Sequence, residues 1–313
     1  MRTCLITGIQ GAGGSYLADY ILDEHPEVDV HGIARWRSRS FVNPKYKSHE
    51  CDLLDLSSII RVIELVKPDV IFHLAAHANV RASFDIPLAV MENNIMGTAN
   101  LLEAVRLTTP KVIFHMCSTS EVYGQITKEE CPIKEDGRLA PASPYAISKL
   151  TQDLLSGVYY QAYNIPVIRT RMFTYINPRR SDLFATNFAM QIAKVEAGLL
   201  DKVRHGNLDS VRSILDVRDA VASYWHAAKY CEPGEVYNIG GDTGIRVGDV
   251  LEKLTSMSPK KIELCEDPAL LRPIDISYQI PDSTKFRNKT GWTQRYNIDE
   301  SLQWLLEECR KII

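Results

Sequence analysis

Short apolar runs alternate with longer amphipathic stretches through the first half of the chain. Cys4 to Thr7 is an apolar run that stops at Gly8 and predicts a buried strand. Ser15 to Glu24 carries Leu17, Tyr20 and Ile21 at helical spacing and predicts a helix. Val28 to Ala34 predicts a second strand. Leu56 to Val66 is amphipathic, and Lys67-Pro68-Asp69 turns it into a strand from Val70 to Leu74. A long helical stretch from Pro87 to Arg106, a strand from Lys111 to Met116, a helix from Pro144 to Tyr163 and a strand from Val167 to Thr170 continue the rhythm. Strands alternating with helices build βαβ units, so a parallel sheet covered on both faces with right-handed crossovers is expected.

Beyond Met172 the rhythm changes. Helical patterns run from Ala185 to Ala197, Val247 to Leu254 and Ile298 to Lys311, around a short strand from Val236 to Ile239 that ends in Gly240-Gly241. The expected fold class is therefore α/β: a Rossmann-like doubly wound parallel sheet with a smaller α+β substrate-binding lobe. The cofactor-binding domain, catalytic residues included, is placed at 1–171 and the lobe at 172–313. No repeat, low-complexity tract or flexible linker separates them, so an interlocked boundary is expected.

Composition narrows the function. Of 313 residues, 45% are hydrophobic and 24% charged, and the net charge of −3 gives no footprint for a nucleic-acid or membrane binder. The seven cysteines are dispersed, with no C-x-x-C pair and no histidine cluster beside them. They read as reduced thiols of a cytoplasmic protein, with no disulfide frame and no metal site. No stretch approaches the length of a membrane span, and the first apolar run is too short for a signal peptide.

Gly8, Gly11 and Gly14 lie between the first strand and the first helix. A glycine turn there lets backbone approach a pyrophosphate, and the helix N-terminus favours its charge. The second strand ends in Arg35-Trp36-Arg37-Ser38-Arg39-Ser40, where an NAD site usually places an acidic residue. Guanidinium groups match a 2′-phosphate, so Arg35 and Arg37 predict NADP over NAD. Asp52 and Leu53 are expected at the adenine, and Leu74 and Ala75 at a strand end with room for cofactor. His73 and His77, which flank that segment, read as structural partners.

Two segments carry the chemistry. Ser118-Thr119-Ser120-Glu121-Val122-Tyr123-Gly124 offers hydroxyls and a carboxylate, and Ser143-Pro144-Tyr145-Ala146-Ile147-Ser148-Lys149 offers a phenol and an ammonium. Tyr145 and Lys149 are four residues apart and share a helix face. A phenol with a pKa of about 10 is a poor base until a nearby cation favours the phenolate. Glu121 adds a second acid/base group to a site already able to support hydride chemistry.

These residues together resemble the extended short-chain dehydrogenase/reductase superfamily. The matching marks are T-G-x-x-G-x-x-G at Thr7 to Gly14, D-L at Asp52-Leu53, H-L-A-A at His73 to Ala76, N-x-x-G-T at Asn94 to Thr98 and Y-x-x-x-K at Tyr145 to Lys149. Within it the likeness is closest to GDP-mannose 4,6-dehydratases. It is carried by Gly14 to Ala18, the arginine-serine loop, Ser118 to Glu121, Pro178-Arg179-Arg180, Gly206 to Asp209 with Arg212, Arg272-Pro273 with Asp275, and Gly291-Trp292. The departures are Thr174 where that family usually has asparagine, Asn177 before P-R-R, and a shorter loop after Arg39, a loop that helps build tetramers in those enzymes.

The resemblance implies an NADP-dependent lyase acting on a nucleotide-diphosphate sugar. Tyr145 would take the proton of the sugar 4-hydroxyl, Lys149 would lower its pKa, and Thr119 would hydrogen-bond the developing 4-oxygen. Glu121 would remove the C5 proton and help water leave from C6. Ser120, Thr174, Asn187, Arg212 and Arg272 are the candidate substrate residues, with Arg212 and Arg272 on the diphosphate. Arg179 and Arg180 rank below them, one serving packing or a subunit contact, and Asn187 has helix capping as its alternative. A homodimer through the helices 87–106 and 144–163 is implied, or a homotetramer where dimers pair. The alternatives are a GDP-4-keto-6-deoxymannose 4-reductase with the same Tyr145 and Lys149, or a dehydratase or epimerase of a related nucleotide sugar. Glu121 argues against an epimerase, and Thr119 tilts towards a dehydratase.

Overall fold

The computed structural model describes residues 1–35, 41–271 and 273–313. Its main sheet has seven strands: β1 (Thr3–Thr7), β2 (Asp29–Ala34), β3 (Lys47–Glu50), β4 (Val70–His73), β5 (Ile113–Thr119), β6 (Val167–Met172) and β7 (Val236–Ile239). The order is β7-β6-β5-β4-β1-β2-β3 and every pairing is parallel. β1 pairs with β2 on one side and β4 on the other, so the winding reverses there and opens a crevice at the strands' carboxyl ends.

Strands buried on both faces need apolar residues throughout, and Cys4, Leu5 and Ile6 of β1 are all fully buried. One face packs Ile6 and Phe72 against α1 (Ala12–Glu24), through Leu17 and Ile21. The other packs Leu5 and Phe114 against α2 (Leu56–Val66), α3 (Gly97–Thr108) and α4 (Pro144–Tyr163). The helical stretch before α3 is not uniform. A π-helical turn, Glu92–Met96, separates Pro87–Met91 from α3. Asn94 sits in that turn, donating to Ser148 Oγ at 2.9 Å and the His77 carbonyl at 3.1 Å, and accepting from the His77 amide at 2.8 Å.

The smaller lobe is built from α5 (Phe184–Glu196), α7 (Val247–Ser256) and α8 (Ile298–Ile312), which share a core of Ile192, Leu251, Leu254, Leu302 and Leu305. Between α5 and α7 the chain returns to the first layer. α6 (Val217–Tyr230) inserts Trp225 beside Phe72, and β7 pairs in register with β6 from Val236↔Arg169 to Ile239↔Met172. β7 thus belongs to the main sheet and not to the lobe in which the sequence pattern sets it, and this return is how the two halves interlock. A three-stranded sheet, with Val211–Ser213 between antiparallel Gly244–Arg246 and parallel Tyr278–Gln279, faces the crevice from the lobe side. No helix among the described residues is long and apolar enough to cross a membrane.

Candidate active site

The crevice is a cavity of about 920 Å³ between the sheet's carboxyl edge and the lobe. Its floor is the glycine turn. Gly8 has φ +70°, and a Cβ there would lie 3.0 Å from Ala75 Cα. A Cβ on Gly14 would run into the Gly8 carbonyl. Gly11 donates to the Gly8 carbonyl at 2.8 Å and stands at the N-cap of α1 with no side chain to cap it, leaving first-turn N–H groups for an anion. Gln10 Oε1 and Ser118 Oγ line the same cavity, buried and without a hydrogen-bond partner among the described residues. A cradle closed to a Cβ at Gly8 and Gly14, with unpartnered polar atoms beside it, fits a bound dinucleotide. Arg35 is exposed on the cavity wall, with Asp52, Leu53, Leu74 and Ala75 around the same end. Arg37 and Arg272 lie outside the described residues.

Thr119 closes β5, and a 3₁₀ turn, Ser120–Tyr123, follows. Thr119 Oγ1 accepts from the Glu121 amide at 3.3 Å, so the threonine caps this turn and the Glu121 carboxylate is left for other work. Across the cavity, Ser143 Oγ accepts from the Ala146 amide at 3.0 Å and starts α4. Tyr145 then falls in the first turn, Lys149 one turn later, and Thr119, Ser120, Glu121, Tyr145 and Lys149 all line the cavity. The Thr119 side chain lies beside the Tyr145 phenol and favours its ionised form. Lys149 Nζ donates to the Cys117 carbonyl.

Burial pushes the Tyr145 phenol well above its ordinary range, and the cation that opposes this is the Arg180 guanidinium. Burial lowers the Lys149 ammonium. Arg180 ranks low in the sequence reading, yet it lines the cavity, donating from Nη2 to the Ala78 carbonyl at 2.7 Å and from Nε to Asp182 at 3.0 Å. The P-R-R turn is the signal that points to it. Its neighbour Arg179 is the packing member of the pair, 2.8 Å from Asp19 and stacked 4.0 Å over the Tyr16 ring of α1.

On the lobe side, Thr174, Asn187 and Arg212 line the cavity. Asn187 lies inside α5, accepting from Gln191 at 2.7 Å, and Leu183 holds the N-cap, so Asn187 does not cap the helix. Arg212 donates to the Ile276 carbonyl at 2.7 Å and lies 3.7 Å from Asp275. Gln279, paired in register with Arg212, is a residue that sequence reasoning passes over. It lines the cavity and donates to Glu121 Oε1 at 3.3 Å. His73 stands between Thr7 Oγ1 at 2.8 Å and Thr98 Oγ1 at 2.7 Å, and burial holds its pKa down to about 3. It is the neutral structural partner that the sequence suggests.

The profile of the family described as GDP-mannose 4,6 dehydratase matches residues 5–305. The human GDP-mannose 4,6 dehydratase is 31% identical, the match covering 96% of this chain and 89% of that protein. The GDP-mannose 4,6-dehydratase of Yersinia enterocolitica is 30% identical, over 96% of this chain and 91% of its own. Among solved structures, RMD from Pseudomonas aeruginosa complexed with NADPH superposes with a TM-score of 0.88 at 26% identity, covering 100% of both chains.

Proposed function

The chain belongs to the GDP-mannose 4,6-dehydratase family, and we propose that it is an NADP-dependent lyase that converts GDP-mannose to GDP-4-keto-6-deoxymannose. The observation that carries this reading is that Glu121 lines the same cavity as Thr119 and the Tyr145–Lys149 pair. A redox site alone needs the phenol and the ammonium; an elimination needs a second acid/base group at the neighbouring carbon.

The glycine turn, Asp52, Leu53, Leu74 and Ala75 would hold the dinucleotide, with Arg35 at the 2′-phosphate. When bound, NADP supplies the acceptor for the C4 hydride and its return to C6. Tyr145 takes the 4-hydroxyl proton, and Thr119 donates to the 4-oxygen. Arg180 opposes part of the burial that raises the phenol, and Lys149 lines the cavity one turn further along α4. The 4-ketone acidifies C5. Glu121 removes that proton and returns it to the departing 6-hydroxyl as water leaves; once hydride has reached C6, a proton drawn from solvent returns to C5. Ser120, Thr174 and Asn187 line the sugar's path, and Arg212 offers a guanidinium for the diphosphate.

A homodimer is part of the same reading. Ile147, Leu154 and Val158 are exposed along one face of α4, with Leu88 and Met96 exposed on the adjacent helical stretch. A stripe of this kind on two packed helices suits a second copy. All seven cysteines are free thiols, in keeping with a cytoplasmic setting.

Glu121→Gln tests the assignment. The variant is isosteric and should bind NADPH as the parent does, yet lose solvent-deuterium incorporation at C5 by about 10²–10⁴-fold. Full activity in that variant would sink the mechanism.

A further inference from the structure

Gln279 comes from the lobe, 158 residues away from Glu121 along the chain, and meets its carboxylate inside the cavity. Its place is firmly built. Gln279 is 3% exposed, its strand pairs with the Arg212 strand, and the next residue's carbonyl accepts from the Ile133 amide at 2.8 Å. Pro281 bridges back to Ile133 as well. The backbone that carries Gln279 is thus held on both sides, and its amide meets the Glu121 carboxylate from that fixed base.

We propose that Gln279 is the positioning residue for Glu121, holding the carboxylate through Oε1 so that its second oxygen serves the elimination. This rests on the dehydratase reading. In that step Glu121 takes the C5 proton, the C5–H pair becomes the C5–C6 double bond, and the C6–O bond breaks. The hydroxide leaves as water with the proton that Glu121 gives back. An amide donor suits both halves: it stabilises the carboxylate without neutralising it, and it has no proton to lose. Tyr145 interacts with Glu121 electrostatically, and Lys149, Arg180, Asp182, Arg212 and Asp275 line the same cavity. The amide adds a donor to this set without changing its net charge.

Gln279→Leu and Gln279→Glu test this with GDP-mannose in D₂O, following C5 deuteration by NMR and C4 oxidation by the 340 nm transient in single turnover. Gln279→Leu should slow C5 exchange about ten- to a hundredfold while the C4 transient stays within about threefold. Gln279→Glu should exchange only at low pH, where one shared proton restores a donor, and should lose exchange as pH rises. Wild-type exchange in both variants, or equal slowing of both steps with a lowered melting point, would overturn the assignment. Absence of C5 exchange in the parent protein would instead defeat the dehydratase reading, and this proposal with it.

Discussion

Asp153→Ala should be among the most destabilising single changes in this chain. Asp153 is fully buried on α4 and takes Arg171 Nε at 3.0 Å, Arg171 Nη2 at 3.4 Å and Arg169 Nη1 at 3.3 Å. Arg171 is itself 3% exposed, and its remaining partners are Tyr123 Oη and the Glu135 carbonyl, each at 2.9 Å. Removing the carboxylate therefore strands a guanidinium in the interior, at a cost of about 3–5 kcal/mol. With an unfolding entropy of about 2.1 cal/mol/K per residue over 313 residues, the melting point should fall by about 5–8 °C. The loss should reach the active site too, because Tyr123 closes the turn that carries Glu121 and donates to Asn238 at 2.7 Å. Calorimetry on Asp153→Ala, Arg171→Met and the double variant Asp153→Ala/Arg171→Met measures the coupling. The double variant should recover part of the single-variant loss, since Arg171 is then no longer a stranded charge and only Arg169, 16% exposed, still loses its carboxylate. A drop under about 1 °C for Asp153→Ala, or strict additivity in the double variant, would refute the reasoning.

Gly14→Ala should weaken NADPH binding more than about a hundredfold in a fluorescence titration, because its Cβ meets the Gly8 carbonyl and lies 2.9 Å from Ile9 Cα; a threefold effect would contradict the cradle. Stability should fall with acid between about pH 6.5 and 3, because burial holds His73 and His115 at about 3 while the unfolded chain binds both protons near 6.5. The sign follows from the unfolded state holding more protons throughout that window, and a melting point independent of pH there would count against it. Leu154→Glu places a charge on the exposed stripe of α4 and should shift sedimentation towards the monomer without lowering NADPH affinity; an unchanged sedimentation coefficient would dismiss this face as the interface.

The parallel sheet and the glycine turn are legible because their signals are local. Apolar runs of strand length, a glycine spacing and a Tyr-x-x-x-Lys face each sit within a few residues. What the sequence hides has a physical reason in each case. β3 is Lys-Ser-His-Glu and has no apolar pattern; it is held by backbone pairing, by His49 against His31 at 2.8 Å and by Lys47 on Asp29 at 2.7 Å. α6 is buried nearly all round, from Val217 through Trp225 to Ala228, so it lacks the polar face that makes a helix readable. β7 is a readable strand, but its partner is fixed only when the chain folds back onto β6. In the site, Thr119, Glu121, Tyr145 and Lys149 come from two short segments and converge on one cavity. Gln279 and the role of Arg180 opposite Tyr145 depend on contacts across the two lobes, which no local spacing encodes.

Incubating the protein with excess GDP-mannose and a trace of NADP⁺ in D₂O tests the central claim most directly. Many turnovers per cofactor, a product lighter by one water apart from a single deuterium at C5, and no net change at 340 nm are expected. No reaction with GDP-mannose, but stoichiometric NADPH oxidation when the 4-keto-6-deoxy sugar is supplied, would contradict it and assign the site to a reductase.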